Sequence, residues 1–178
     1  AAALLGAALT AATALRAPAG GPWPVLAALG YALLAGLATA GPPTGPLDWL
    51  VPPLLRAGEY AAVLAIAART GVSGALPAAF GFVAAAAYHH YDTVYRVRGG
   101  LPAPSRRLAW AAGGPEGRTL AVAAAAALTH GRGPAFPLAL TALAGALTLT
   151  VLAESVRFWA SPATPRALDE SDESGEPA

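Results

Sequence analysis

Apolar residues fill several stretches of this chain that are long enough to cross a bilayer and contain no charged side chain. Three of them are residues 23–40, 71–88 and 133–153. A helix of about 20 residues spans the hydrocarbon core, and about 17 can suffice. A surface helix of a soluble bundle needs a polar stripe along one face, and these stretches have none. The pattern therefore predicts transmembrane helices.

Clusters of Pro and Gly between these stretches divide the chain into about six predicted helices. The predicted spans are residues 1–15, 23–40, 49–68, 75–95, 118–130 and 137–159. Because the chain begins without Met, we expect the first span to be truncated. The sequence thus predicts an all-α, polytopic membrane helix bundle over residues 1–160. Residues 161–178 are rich in Pro, Ser and carboxylates and predict a disordered acidic tail.

Composition supports a membrane domain and excludes several kinds of chemistry. Charged residues make up 12% of the chain, against about 25% in soluble domains. The absence of Cys excludes disulfides and thiolate metal sites, and the net charge of +1 gives no indication of nucleic-acid binding. The chain has no HExxH, Walker or GxSxG motif. His89 and His90 are adjacent and would face different directions on a helix, so we expect no metal site, no assigned catalytic residue and no cofactor.

The distribution of arginines predicts the orientation of the bundle, because cytoplasmic loops carry an excess of Arg and Lys. The loop between the fourth and fifth spans and its borders carry Arg96, Arg98, Arg106, Arg107 and Arg118. If this loop is cytoplasmic, both ends of the chain are cytoplasmic as well.

This orientation brings the polar residues of four spans to one face of the membrane. An ionisable group near mid-bilayer costs about 2.5–3.5 kcal/mol, so it normally faces the bundle interior and pairs. Arg56 with Glu59, His89 with Asp92, Asp92 with Arg96, and Glu154 with Arg157 have the spacing of neighbours on one helix face. Tyr88, Asp92 and Tyr95 also share a face.

Two interpretations of this convergence stay open. One is a cytoplasm-facing pocket for an anionic head group, and the other is ordinary anchoring at the interface with mutual neutralisation. The candidate ligand-binding residues are Arg56, Glu59, His89, His90, Asp92, Arg96, Arg98, Glu116, Arg118, Glu154 and Arg157.

Four runs of the sequence resemble an uncharacterised bacterial membrane domain that is commonly fused behind a CDP-alcohol phosphatidyltransferase domain. The runs are residues 47–60, 88–100, 116–118 and 154–159, and the resemblance extends over residues 26–159. It implies a multi-pass protein of the bacterial inner membrane with a role beside phospholipid synthesis. The Asp-rich signature of those transferases is absent, since the chain has no Asp-Gly pair. We therefore expect a catalytically degenerate relative or a partner of that fold.

The expected function is a non-catalytic accessory membrane domain. It would bind an anionic lipid or CDP-lipid head group in the bilayer and pack against a phosphatidyltransferase domain in cis or trans. A membrane enzyme acting on a lipid phosphate is an alternative, with His89 or His90 as general base and arginines holding the phosphate. A small transporter is another, but it would need polar groups at the membrane midplane, and the second and sixth spans carry none.

Overall fold

The computed structural model describes residues 23–39, 48–102 and 113–160, and these residues form α-helices and no β-strand. The all-α prediction is confirmed for this part of the chain. The first predicted span and the predicted acidic tail lie outside the described residues. The helices are α1 (Trp23–Thr39), α2 (Val51–Thr70, preceded by a 3₁₀ turn at Asp48–Leu50), α3 (Ala75–Arg98), α4 (Pro115–Thr129) and α5 (Ala135–Trp159).

The helix ends follow from proline and glycine. Prolines occupy the first turns of α2 and α4, where a missing N–H costs nothing. For this reason α4 begins at Pro115, three residues earlier than the sequence pattern predicted. Helix α2 ends at Gly71, whose φ of 64° is the left-handed conformation that glycine adopts without strain.

The helices alternate in direction, so α3 and α5 run parallel and make the most extensive contact in the bundle. A Cβ placed on Gly74 would lie 3.7 Å from Cβ of Pro137, where these two helices begin. Helix α4 packs against α1, α2 and α5. The core is built from buried alanines such as Ala79 and Ala86, with Phe82 and Leu140 filling the space between helices. Small residues of this kind let helix backbones approach closely.

Large apolar side chains cover much of the outer surface. Leu33 and Leu149, for example, expose 70% and 72% of their area. Helices α2 and α5 are long and apolar enough to cross a membrane. Helix α1 has 17 residues and α4 has 15, while α3 is longer but ends in a charged run. By length and composition, the structure therefore supports two of the six predicted spans.

Candidate functional site

Charged side chains from four helices gather at one end of the bundle, apart from Arg69 in the last turn of α2. We call this the polar end, and it is the end at which α2 and α4 begin and α3 and α5 end. Glu59 and Arg96 are fully buried there, and Asp92 and Arg118 are nearly so. The predicted convergence of Glu59, Asp92, Arg118 and Glu154 is thus present as ion pairs between and within helices.

Glu59 of α2 and Arg118 of α4 form the first buried pair. Nε of Arg118 donates to Oε1 of Glu59 at 2.5 Å, and Nη2 donates to Oε2 at 3.0 Å. Nη1 of Arg118 also donates to the carbonyl of Gly113 at 2.8 Å, and the φ of 63° at Gly113 turns the chain before α4. Such two-pronged contacts are stronger and more directional than a single hydrogen bond, so this pair joins α2 to α4.

Arg96 of α3 and Glu154 of α5 form the second pair. Nη2 of Arg96 lies 2.9 Å from Oε2 of Glu154, and Nη1 lies 3.3 Å from Oε1. Nη2 also approaches Oδ2 of Asp92 at 2.7 Å and donates to Oγ of Ser155 at 3.2 Å. The guanidinium carbon stands 4.0 Å from the centre of the Phe158 ring, a favourable cation–π geometry. Arg96 therefore joins α3 to α5 through both of its Nη atoms, while its buried Nε has no hydrogen-bond partner among the described residues.

Arg56 is the cation of the polar end that has the weakest contact with a carboxylate. Its Nη1 is 3.7 Å from Oε2 of Glu59, and this buried atom has no hydrogen-bond partner among the described residues. Arg56 lines a cavity of about 250 Å³ between α1, α2 and α4. The cavity is lined by Ala35, Val51, Pro52, Leu55, Arg56, Pro115 and Glu116.

Glu116 lines the same cavity, but its carboxylate folds back beside Gly114. That position is the amino end of α4, where the free N–H groups of the first turn stabilise negative charge. Arg56 and Glu116 are the charged residues that line the cavity, so its lining carries no net charge when both are ionised.

His89 has charged neighbours in both ion-pair groups, whereas those of His90 are Arg56, Arg118 and Glu59. The charged neighbours that act on His89 are Arg118, Arg56, Asp92 and Glu154. Nδ1 of His89 is buried and accepts or donates no hydrogen bond within the described ranges. The two rings do not converge with other ligands, since residues 23–39, 48–102 and 113–160 contain no group of three His, Asp or Glu side chains placed to hold a metal.

Two of the candidate arginines stand apart from the buried groups. Arg98 and Arg157 are exposed, and Glu154 pairs with Arg96 instead of Arg157. The predicted pairs Arg56–Glu59 and Asp92–Arg96 are present, whereas His89 makes no hydrogen bond to Asp92 through its buried Nδ1.

The sequence pattern did not indicate several residues that hold the polar end together. Ser155 and Phe158 contact Arg96, and the hydroxyl of Tyr31 donates to the carbonyl of Leu55 at 2.7 Å. The only sequence signal for Ser155 and Phe158 is their position beside Glu154, within one turn of α5. Tyr31 gives a weaker signal, as a single polar group in an otherwise apolar helix.

The sequence of this chain matches one family along its whole length, residues 1–178. The chain belongs to the family of unknown function DUF5941. No curated protein and no solved structure matches the chain. Membership in DUF5941 agrees with the predicted resemblance to an uncharacterised domain, while its fusion to phosphatidyltransferases and its relation to their fold stay predictions.

Proposed function

We propose that this chain is an accessory membrane domain that binds the phosphate of an anionic lipid or CDP-lipid head group at its polar end. In this proposal all the predicted spans cross the inner membrane, with the polar end on the cytoplasmic side. The domain itself is non-catalytic and serves a phosphatidyltransferase domain in cis or trans.

Arg56 carries the proposal. Arg56 lines a 250 Å³ cavity, and its buried Nη1 has no hydrogen-bond partner among the described residues. A buried polar group without a partner is costly, and a charged one more so. A phosphate oxygen in the cavity would supply the missing acceptor, and Arg is well suited to phosphate because its N–H groups match the geometry of the oxygens.

The other buried arginines act as supports in this proposal. Arg96 and Arg118 already bind carboxylates through two nitrogens each, so neither is free to hold a head group without breaking a buried pair. Binding therefore depends on one arginine, and not on the five-arginine pocket that the sequence predicted.

The apolar surface supports a membrane location. Helices α2 and α5 have the length and composition of spans, and exposed leucines such as Leu33, Leu138 and Leu149 would face lipid. Large exposed apolar areas are rare in soluble monomers.

A lipid-phosphate enzyme is less well supported by the same cavity. General base catalysis needs a base within hydrogen-bonding reach of the reacting group. Neither His89 nor His90 is among the described residues that line the cavity, and Glu116, its carboxylate, is folded against the amino end of α4.

Binding of a short-chain phosphatidylglycerol to the purified chain in neutral detergent tests the proposal. Arg56→Gln should weaken binding roughly ten- to a hundredfold, since a hydrogen bond to a charged group contributes about 1.5–3 kcal/mol. Glu116→Gln removes a negative charge from the same cavity, so binding should tighten or stay unchanged. Titration calorimetry, with the matching diacylglycerol as the phosphate-free comparison, measures both.

Arg98→Gln is the matched control, because Arg98 is exposed at the same end of the bundle. It should leave the affinity almost unchanged. An equal loss for Arg98→Gln and Arg56→Gln would mean general surface attraction and would contradict the proposal, as would unchanged affinity in Arg56→Gln.

A further inference from the structure

A second concave surface lies at the polar end, on the outer side of α3 and α5. This concave surface has a volume of about 300 Å³ and is lined by Tyr88, Tyr91, Asp92, Tyr95 and Trp159. We call this surface the aromatic cradle. The rings of Tyr91 and Tyr95 are stacked, with centres 6.2 Å apart, and Trp159 continues the wall at 6.2 Å from Tyr95. All four aromatic side chains are partly exposed.

The floor of the cradle carries an excess of negative charge. The side chain of Asp92 is only 8% exposed, and its Oδ2 forms an ion pair with Nη2 of Arg96 at 2.7 Å. Arg96 is shared with Glu154. Two carboxylates and one guanidinium leave a net charge of −1 when all are ionised; Asp92 is buried, and the side chain of Glu154 is 21% exposed.

Among residues 23–39, 48–102 and 113–160, no arginine stacks on a ring of the cradle. The guanidinium of Arg96 stacks over Phe158, on the inner side of α5, and not over the tyrosines or Trp159. A ring face attracts a cation whose centre lies within about 6 Å. Several such faces around a buried carboxylate are an arrangement that selects a bulky, weakly hydrated cation.

We propose that the aromatic cradle binds a quaternary ammonium group of the choline type. The methyl groups would contact the faces of Tyr88, Tyr91, Tyr95 and Trp159, and the positive charge would be balanced by Asp92. Tyr and Trp also anchor helix ends at membrane interfaces, but such anchors need no buried carboxylate beside them. This site is separate from the Arg56 cavity, so choline binding can be tested independently of the proposed phosphate binding.

Titration of the purified chain in neutral detergent with choline tests the charge requirement. The comparison compound is the neutral isostere of choline, in which carbon replaces nitrogen. Choline should bind, and the isostere should bind at least about tenfold more weakly, since the cation–π and carboxylate contacts are lost with the charge. No binding of choline, or equal binding of both compounds, would overturn the proposal.

Two substitutions at Tyr95 separate the ring face from the bulk of the side chain. Tyr95→Leu should weaken choline binding roughly 3- to 30-fold, the range of one cation–π contact, whereas Tyr95→Phe should keep the affinity of the parent chain. Because Tyr95 is 56% exposed, both variants should fold. Asp92→Asn should lose binding more completely. Unchanged affinity in Tyr95→Leu and Asp92→Asn would place choline elsewhere and overturn the proposal.

Competition identifies the source of the ammonium group. Phosphatidylcholine in nanodiscs should displace free choline if the natural occupant is a lipid head group. If free choline binds equally well in nanodiscs of phosphatidylcholine and of phosphatidylglycerol, the occupant is a soluble quaternary ammonium compound, and the assigned chemistry is the same.

Discussion

Single residues at the polar end differ in whether their charge is already satisfied. Glu59 and Arg118 satisfy each other, and so do Arg96 and Glu154, whereas Arg56 is only loosely paired. Burying an ion pair brings little net stability, but removing one partner leaves an uncompensated charge that costs several kcal/mol. The two buried ion pairs therefore determine which helices contact each other, and they contribute less to the stability of the bundle.

Replacing one or both members of the Glu59–Arg118 pair tests this reasoning. Glu59→Leu should lower the free energy of unfolding by about 3–5 kcal/mol, because Arg118 keeps its charge in a buried site. The double variant Glu59→Leu with Arg118→Met should recover most of that loss, since two apolar side chains need no partner. Denaturant titration in mixed micelles, followed by circular dichroism, measures all three chains.

Arg157→Ala serves as the control for that experiment, because an exposed side chain should change the unfolding free energy by no more than about 0.5 kcal/mol. A double variant as unstable as Glu59→Leu alone would mean that the pair contributes net stability, contrary to this expectation.

The contacts within single helices were predictable from the sequence, and the contacts between helices were not. The four-residue spacing of Asp92 and Arg96 places them on one helix face, and the structure pairs them. The choice of Glu59 as partner for Arg118 depends on how each helix is rotated about its axis. Alanine on every side of α4 gives a weak amphipathic signal, so the sequence scarcely specifies that rotation.

The unspecified rotation of α3 about its axis also explains why the sequence places Arg98 among the candidate ligand-binding residues. Two residues after Arg96, it points to nearly the opposite side of an α-helix with 3.6 residues per turn. Without the orientation of α3, either arginine could have been the inward one. The structure buries Arg96 and exposes Arg98.

At the scale of whole helices, the close packing of α3 against its neighbours depends on small side chains. Ala75, Ala79 and Ala86 of α3 are buried in the main core. The helix boundaries were predicted within a few residues, because Pro and Gly mark them. Alternating direction predicts that α3 and α5 run parallel, but the sequence does not predict that these two helices pack against each other.

Enlarging one of these alanines should disturb the packing. Ala79 is fully buried, so Ala79→Leu should lower the unfolding free energy by about 1–3 kcal/mol through overpacking. Ala84 lies on the exposed side of the same helix, and Ala84→Leu should have almost no effect or improve partitioning into micelles. Thermal unfolding of both variants compares them directly, and equal losses would show that α3 packs in another orientation.

At the scale of the whole molecule, the polar end and the opposite end are expected on different sides of a bilayer. The chain has no Cys, so single cysteines can be introduced without background. Arg98 and Arg157 are exposed at the polar end, and Ser73 and Arg132 are exposed at the opposite end. These four positions report the orientation of the bundle.

Labelling with a membrane-impermeant maleimide in right-side-out and inverted vesicles reads out this arrangement. Arg98→Cys and Arg157→Cys should react from the cytoplasmic side, and Ser73→Cys and Arg132→Cys from the other side, because the positive-inside rule places the arginine-rich loop in the cytoplasm. Reaction of all four from one side, or recovery of the chain in the supernatant after vesicle sedimentation, would rule out the spanning arrangement.

The sequence positions of the two arginine–glutamate pairs also determine when each pair can form during biosynthesis. Glu59 is made 59 residues before Arg118, and Arg96 is made 58 residues before Glu154. Until Glu154 is made, Asp92 is the carboxylate among the described residues that can pair with Arg96, and the contact between α3 and α5 is not yet formed. The contact between α3 and α5 therefore cannot form until translation reaches Glu154, and α5 completes it.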